Sequence, residues 1–341
     1  MNFVSLNRAP RLLLEADLVP AAGNRFQPTG FADLGAAEYK LPDGTKMLLV
    51  ESAQSVANRL EKTCLEGEGP QIDPALDGLP YVVAELDGSE TVNSTSSLIE
   101  AHRIGSPYFL LNKDFQNSIV QEMGYNPKQP LNWPKIYATL FKYDMNSLVH
   151  GVFLSLLEGG RVRTPRALTG FIEARNIERV VSGGVKNSPV DPTGKTQVAD
   201  VKASESGVYS NVPYARVEYV AEAITGYFNL DLALIRGFRL GEEATRLLIA
   251  LSLLKTRRFL EGSIRLRTAC DLQLHAIRSI SPEGFELPAE ADLVAVVQAG
   301  IKNCASQFAN PSVTMLKTKV KIVEKEKEKN KSEQAKGAGT E

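Results

Sequence analysis

The chain has 341 residues, 43% of them hydrophobic, which is enough to bury a substantial core and excludes a disordered protein. Its formal net charge is −1, yet residues 66–122 hold ten Asp or Glu against Arg103 and Lys113, while residues 161–186 hold five Arg and Lys186 against Glu173 and Glu178. Charge segregated in this way suits one basic surface for a polyanion and an acidic surface elsewhere, although soluble proteins that bind no nucleic acid carry patches too.

In chain order, Leu12 to Val19 alternates Leu12, Leu14, Ala16 and Leu18 against Leu13, Glu15 and Asp17, a first strand with one buried face. A loop follows that spends Gly30, Gly35, Gly44, Pro28 and Pro42 on turns. After Met47 to Val50 a helix begins at Ser52, whose hydroxyl caps it, and Ala53, Val56, Ala57, Leu60 and Cys64 recur at helical spacing as a core face. Gln54, Ser55, Asn58, Arg59 and Lys62 fall on the remaining surface, with hydroxyl and amide groups in the first turn, where the helix dipole favours an anion. The same pattern also reads as an ordinary amphipathic helix.

Residues 66–160 read as a mainly helical insertion. Its acidic first part has turn clusters, a strand at Tyr81 to Leu86 and helices at Ser96 to His102 and Phe115 to Met123; Pro134 to Leu157 follows as one helix ended by Gly159-Gly160. A second core strand lies within Arg161 to Ile177. From Ser182 to Pro213, GG, SP, DP, TG and SG dipeptides interrupt any long element. The alternation in TQVADVKA and RVEYVAEA predicts a projecting hairpin or flap, with a surface loop as the alternative. Ile224 to Ile235 is the third core strand, Gly241 to Phe259 a strong helix with Glu242 and Glu243 in its first turn, and Arg265 to Ile277 the fourth strand. The core order is strand, helix, strand, strand, helix, strand, so the expected class is α+β with a ferredoxin-like, RNA-recognition-type core built from residues 1–65 and 161–308. Pro288 to Phe308 adds a helix, and 309–341, with seven Lys and three Glu between Lys317 and Lys331, reads as a charged, solvated tail.

Cys64, Cys270 and Cys304 are widely spaced with no CxxC or Cys/His cluster, so neither a disulfide framework nor a metal site is expected, and a reducing cytoplasm fits. The N-terminal segment, interrupted by Arg11, Glu15 and Asp17, lacks a signal-peptide core, and no apolar run is long enough to cross a membrane. His102, His150 and His275 are isolated in sequence. No GxxxxGK[ST], HExxH, GxSxG or strand-flanked GxGxxG occurs, so no catalytic residue or cofactor is assigned. The positive chemistry is electrostatic: Lys255, Arg257, Arg258, Arg265 and Arg267 lie within thirteen residues opposed only by Glu261. That cluster favours phosphate, or else is a helix-end charge pattern beside a solvated strand. His102 and Arg103 adjoin a turn and Tyr108, within reach of a phosphate or base.

The run VESAQSVANRLE, with LLLEADLVP, SPYFLLNKDF, ITGYFNLDLALI and RTACDLQLHAI, resembles the backbone subunit of type I-U (I-G) CRISPR Cascade complexes, in the Cas-seven family of the RAMP superfamily. The resemblance covers nearly the whole chain to about residue 308. It implies a noncatalytic protomer that assembles in many copies along a CRISPR guide RNA (crRNA) and holds it for pairing with target DNA. Ser52, Gln54, Ser55, Asn58 and Arg59 occupy the positions where the family's helix lies against the guide, and 182–213 that of its thumb; His102, Arg103, Arg163, Lys186, Lys255, Arg257, Arg258 and Arg267, read from their charge and position, complete the expected RNA-contact set. Further implied partners are a processing subunit that binds the crRNA handle, a Cascade large subunit and a helicase-nuclease. The rival is an RNA endonuclease of the type III kind, with Asp33 in the loop after the first strand as its catalytic group.

Overall fold

The computed structural model describes residues 4–30, 34–67, 69–88, 92–189 and 212–320. The chain opens with α1 (Val4–Arg8), β1 (Arg11–Pro20), β2 (Ala37–Lys40), β3 (Lys46–Glu51) and α2 (Ala53–Lys62). Next come β4 (Tyr81–Asp87), β5 (Ser94–Ser96), α3 (Pro107–Leu110), α4 (Lys113–Met123), α5 (Trp133–Tyr143), α6 (Asn146–His150), β6 (Val152–Phe153) and β7 (Arg163–Thr164). The second half supplies β8 (Leu168–Arg175), β9 (Glu178–Lys186), β10 (Val212–Val220), β11 (Ala223–Asp231), α7 (Leu232–Gly237) and α8 (Glu242–Glu261). It ends with β12 (Ile264–Arg267), β13 (Cys270–Ser281), α9 (Glu290–Cys304) and β14 (Val313–Lys319).

The largest sheet runs β12-β13-β1-β11-β8-β3-β2, and its neighbouring strands pair antiparallel. Its central four strands, β13-β1-β11-β8, with α2 between β1 and β8 and α8 between β11 and β13, are the split βαβ arrangement of ferredoxin-like folds, so the fold is α+β as the order of elements implied. The alternation in β1 decides which face is covered: Leu12, Leu14, Ala16 and Leu18 are buried, whereas Leu13, Glu15 and Asp17 stay half-exposed. On the covered side lie Val56, Ala57 and Leu60 of α2 and Leu247, Leu248, Leu251 and Leu254 of α8. Each such leucine contributes about 1.5–3 kcal/mol. Gly170 is required there because an added Cβ would lie 2.8 Å from the Phe228 ring.

Several boundaries differ from the sequence reading, each for a local reason. The third core strand stops at Asp231, whose carboxylate accepts the Leu234 N–H at 2.8 Å and so starts α7, taking Leu232 and Leu234 off the strand. The fourth strand is a hairpin, β12 and β13, because Ala269 takes a positive φ of 62° at the turn. Ser96 to His102 is strand end and turn, with Arg103 at φ 51°, and Pro134 to Leu157 breaks at Asp144, where φ is −160°. Val313–Lys319, assigned by its lysines to a solvated tail, is strand β14, paired in parallel with β4 from Val313 opposite Tyr81 to Lys319 opposite Asp87. Leu316 on this strand packs partly buried against the core.

Candidate nucleic-acid interface

Beyond β8 and β11 the chain continues as a second antiparallel pair, β9 and β10, in register from Glu178 opposite Val220 to Lys186 opposite Val212. With nine residues per strand, this arm spans roughly 30 Å. Most of the segment expected to form the flap, residues 190–211 and with them TQVADVKA, lies outside the described residues; the described hairpin strands are 178–186 and 212–220, the second holding the first five residues of RVEYVAEA. An isolated two-stranded ribbon is marginal by itself, and this one is fastened at its root. Phe26 and Tyr219 exchange backbone hydrogen bonds of 3.0 and 2.8 Å. Arg179 Nε donates to Glu38 Oε1 at 2.7 Å, and the Tyr219 hydroxyl donates to the same oxygen. Burial opposes ionisation of Glu38, but the hydrogen bonds from Arg179 and Tyr219 and the guanidinium charge outweigh it and lower its pKa. Burial and then the bond to Glu38 push the Tyr219 phenol up to about 12.

The loop after β1 is stitched on both sides. Gln27 N–H donates to Ala269 O at 2.8 Å, Thr29 N–H to Val50 O at 3.0 Å, and Arg267 Nη1 to Pro28 O at 3.2 Å. Between this loop and the arm root lies a groove of about 540 Å³, whose charged lining groups are Arg179, Arg216 and Arg267 beside apolar Pro28, Ala215 and Val217. Arg216 lies over the Tyr214 ring at 5.6 Å and 3.9 Å from Glu218. Guanidinium groups that converge on an open groove can hold phosphates bidentately without reading sequence.

The residues expected from the sequence divide into those that face solvent and those the fold has already used. On α2, Gln54 and Asn58 are exposed and Ser55 is half-buried, while Ser52 caps its own helix by accepting the Ser55 N–H at 3.3 Å. His102, Arg163, Lys186 and Arg267 are exposed. Arg59 donates to Arg265 O at 2.8 Å and Leu266 O at 2.5 Å and pairs with buried Glu51, so it holds β12 against α2. Glu51 also accepts from Thr29 at 3.2 Å, which joins the start of α2 to the groove loop. Arg257 bonds Pro288 O, Leu287 O and Glu261. Arg258 bonds Thr63 O, Asp73 and Glu290.

Two expectations are corrected outright. Lys255 is fully buried, donating to Asn146 Oδ1 and to His150 Nε2 at 2.8 Å, and cannot meet a surface phosphate. Arg103, 7% exposed, makes a bidentate pair with Glu61 at 2.6 and 2.8 Å and donates to Gly151 O. Arg179 and Arg216 were missed as site residues. Their signal was the pairing of two alternating segments around a turn-rich stretch, which sets Arg179 opposite Tyr219 and Arg216 opposite Ser182. Asp33 lies outside the described residues, and among the described residues no group of three or more His, Cys, Asp or Glu is placed to hold a metal. Among them, too, no helix is long and apolar enough to cross a membrane.

Residues 12–179 match the family described as CRISPR-associated protein GSU0053 (Cas_GSU0053). No curated protein matches the sequence. Among solved structures, a chain of a CRISPR RNA-guided surveillance complex in a pre-nicking state is similar at 10% identity and TM-score 0.38, over 85% of this chain and 88% of that one. Csc2 of Thermofilum pendens is similar at 10% identity and TM-score 0.30, over 90% of this chain and 81% of that one. The family match covers the runs VESAQSVANRLE and LLLEADLVP and agrees with the resemblance they carry to CRISPR-associated proteins of the Cas-seven type.

Proposed function

We propose that this chain is a noncatalytic guide-RNA-binding protomer, copies of which assemble along a CRISPR RNA in a Cascade-type complex that pairs the guide with target DNA. The observation that carries this reading is the arm of β9 and β10 rooted in a groove with Arg179, Arg216 and Arg267 on its walls. Three guanidiniums with an apolar strip suit a sugar-phosphate backbone crossing the groove, and backbone contact tolerates a guide whose sequence varies. Exposed Gln54 and Asn58, beside half-buried Ser55, extend the polar path along α2 from the Glu51 junction. Lys186 at the far end of β9 and Arg163 are placed in solvent for further phosphates. The arm reaches toward a neighbouring copy. A handle-binding processing subunit, a large subunit and a recruited helicase-nuclease complete the expected partners, and cleavage falls to the last of these.

The test is salt-dependent binding to unrelated single-stranded RNA sequences by Arg216→Ala with Arg267→Ala. The expected result is an equal factor of loss on every sequence and a shallower salt slope, by about 0.7 for each phosphate contact removed. Unchanged affinity and slope with the fold intact would reject the groove as the RNA path.

A further inference from the structure

The face of the large sheet opposite α2 and α8 carries a continuous row of interacting side chains. Tyr39 donates its hydroxyl to Glu173 Oε1 at 2.6 Å. Two residues before Glu173, Phe171 stacks on Tyr227 with ring centroids 5.1 Å apart and planes at 27°. Tyr227 is directly across the ladder from Glu15, and Arg278 bridges Glu15 at 3.0 Å and Asp17 at 2.7 Å. Phe171, Glu173, Tyr227, Glu15 and Asp17 are all half-exposed. Two residues on from Tyr227, on the same face, Asn229 Oδ1 is buried and accepts no hydrogen bond among the described residues.

An aromatic pair on the open face of a recognition-type sheet is ordinarily a platform for bases. Charge argues against that use here. Four carboxylates, Glu15, Asp17, Glu173 and Asp231, stand against three guanidiniums, Arg278, Arg11 and Arg175 at the end of β8. Phosphates crossing this face would meet net negative charge. The Tyr227 phenol registers the same field: burial raises its pKa first, and Glu15 and Glu173 raise it further. A guanidinium reverses each of these signs. It stacks on the ring pair and balances Glu173.

We infer that this sheet face docks an arginine-bearing segment of a partner polypeptide, and that RNA is confined to the arm side of the molecule. The test titrates the full chain with two labelled probes, a peptide of alternating Arg and Gly and a single-stranded RNA, following anisotropy. The variants are Phe171→Ala and, as a change that keeps the side-chain shape, Glu173→Gln. The expected result is a loss of peptide affinity of about threefold to fivefold in each variant, with RNA affinity unchanged and a Lys-Gly peptide weaker than the Arg-Gly one. Peptide affinity indifferent to both variants would overturn the inference. So would RNA affinity that falls in their place, which would make the face a base platform.

Discussion

At the residue scale, the fold converts several cations into internal fasteners, and one buried polar cluster has consequences for pH. Asp144, Asn146, His150 and Lys255 are each 0–1% exposed. Burial raises Asp144 to about 6, with Glu61 adding to the rise and the Ser147 bond, Arg103 and Lys255 opposing it. Burial also holds His150 well below its usual value, reinforced by Lys255, Arg103 and Arg166. The signs oppose each other. Between pH 4 and 6 the native state binds the Asp144 proton more than the unfolded chain does, so that group's contribution to stability falls as pH rises. His150 is neutral when folded and protonated when unfolded below its ordinary value, so its contribution rises with pH. Both contributions act in the native protein. Asp144→Asn removes one of them, and urea unfolding of the variant is expected to gain a slope of about 1.4 kcal/mol per pH unit from pH 4 to 6. A variant curve parallel to wild type would show that Asp144 titrates normally. Arg103→Ala leaves Glu61 buried without its partner and is expected to cost about 3–5 kcal/mol, read as a lower urea midpoint at unchanged m-value.

Elements here are defined by how they end. The β12–β13 turn forces Ala269 to φ 62°, a conformation in which a Cβ is strained. Ala269→Gly should therefore stabilise the protein by about 1 kcal/mol, visible as a raised Tm; a lowered Tm would mean that the turn is relaxed with alanine. The arm depends on Glu38 gathering Arg179 and Tyr219. With Glu38→Gln, amide exchange along residues 178–186 is expected to accelerate about tenfold, since about 1.4 kcal/mol of local stability is lost, while β1 and β11 keep their protection. Equal exchange in both proteins would assign the arm's order to its backbone pairing alone. Replacing residues 187–208 by a Gly/Ser connector should leave the Tm of the core unchanged but disturb the spacing of copies on guide RNA seen by electron microscopy. Regular assemblies from the shortened chain would sink the thumb reading.

For the whole molecule, the structure joins the sequence's beginning, middle and end. Val313–Lys319 closes on β4 although more than two hundred residues separate them, and Thr318 Oγ1 donates to Tyr108 O at 2.7 Å. Leu316→Ala should lower stability by about 1–2 kcal/mol through lost contact with the core; a solvated tail would show no change. The same global closure decides the polarity of the surface. It draws Arg257 and Arg258 onto the loop and helix before and within α9, buries Lys255, and leaves Arg179, Arg216 and Arg267 at the groove.

Periodicity and capping were enough to make the βαββαβ order, the α2 cap at Ser52 and the acidic first turn of α8 legible, because each depends on spacings of a few residues and on local backbone hydrogen bonds. The resemblance to CRISPR-associated proteins was legible too, in short runs such as VESAQSVANRLE, which lies within the matched residues. Tertiary structure alone decided which cations line the groove. A guanidinium's role depends on whether a carbonyl from a distant strand reaches it first, as Arg265 O and Leu266 O reach Arg59 across more than two hundred residues. It also decided that Asp231 ends a strand, that Val313–Lys319 is not tail, and that Glu15, Glu173, Phe171 and Tyr227 share one face, since a strand's alternation names two faces without saying which one the helices cover.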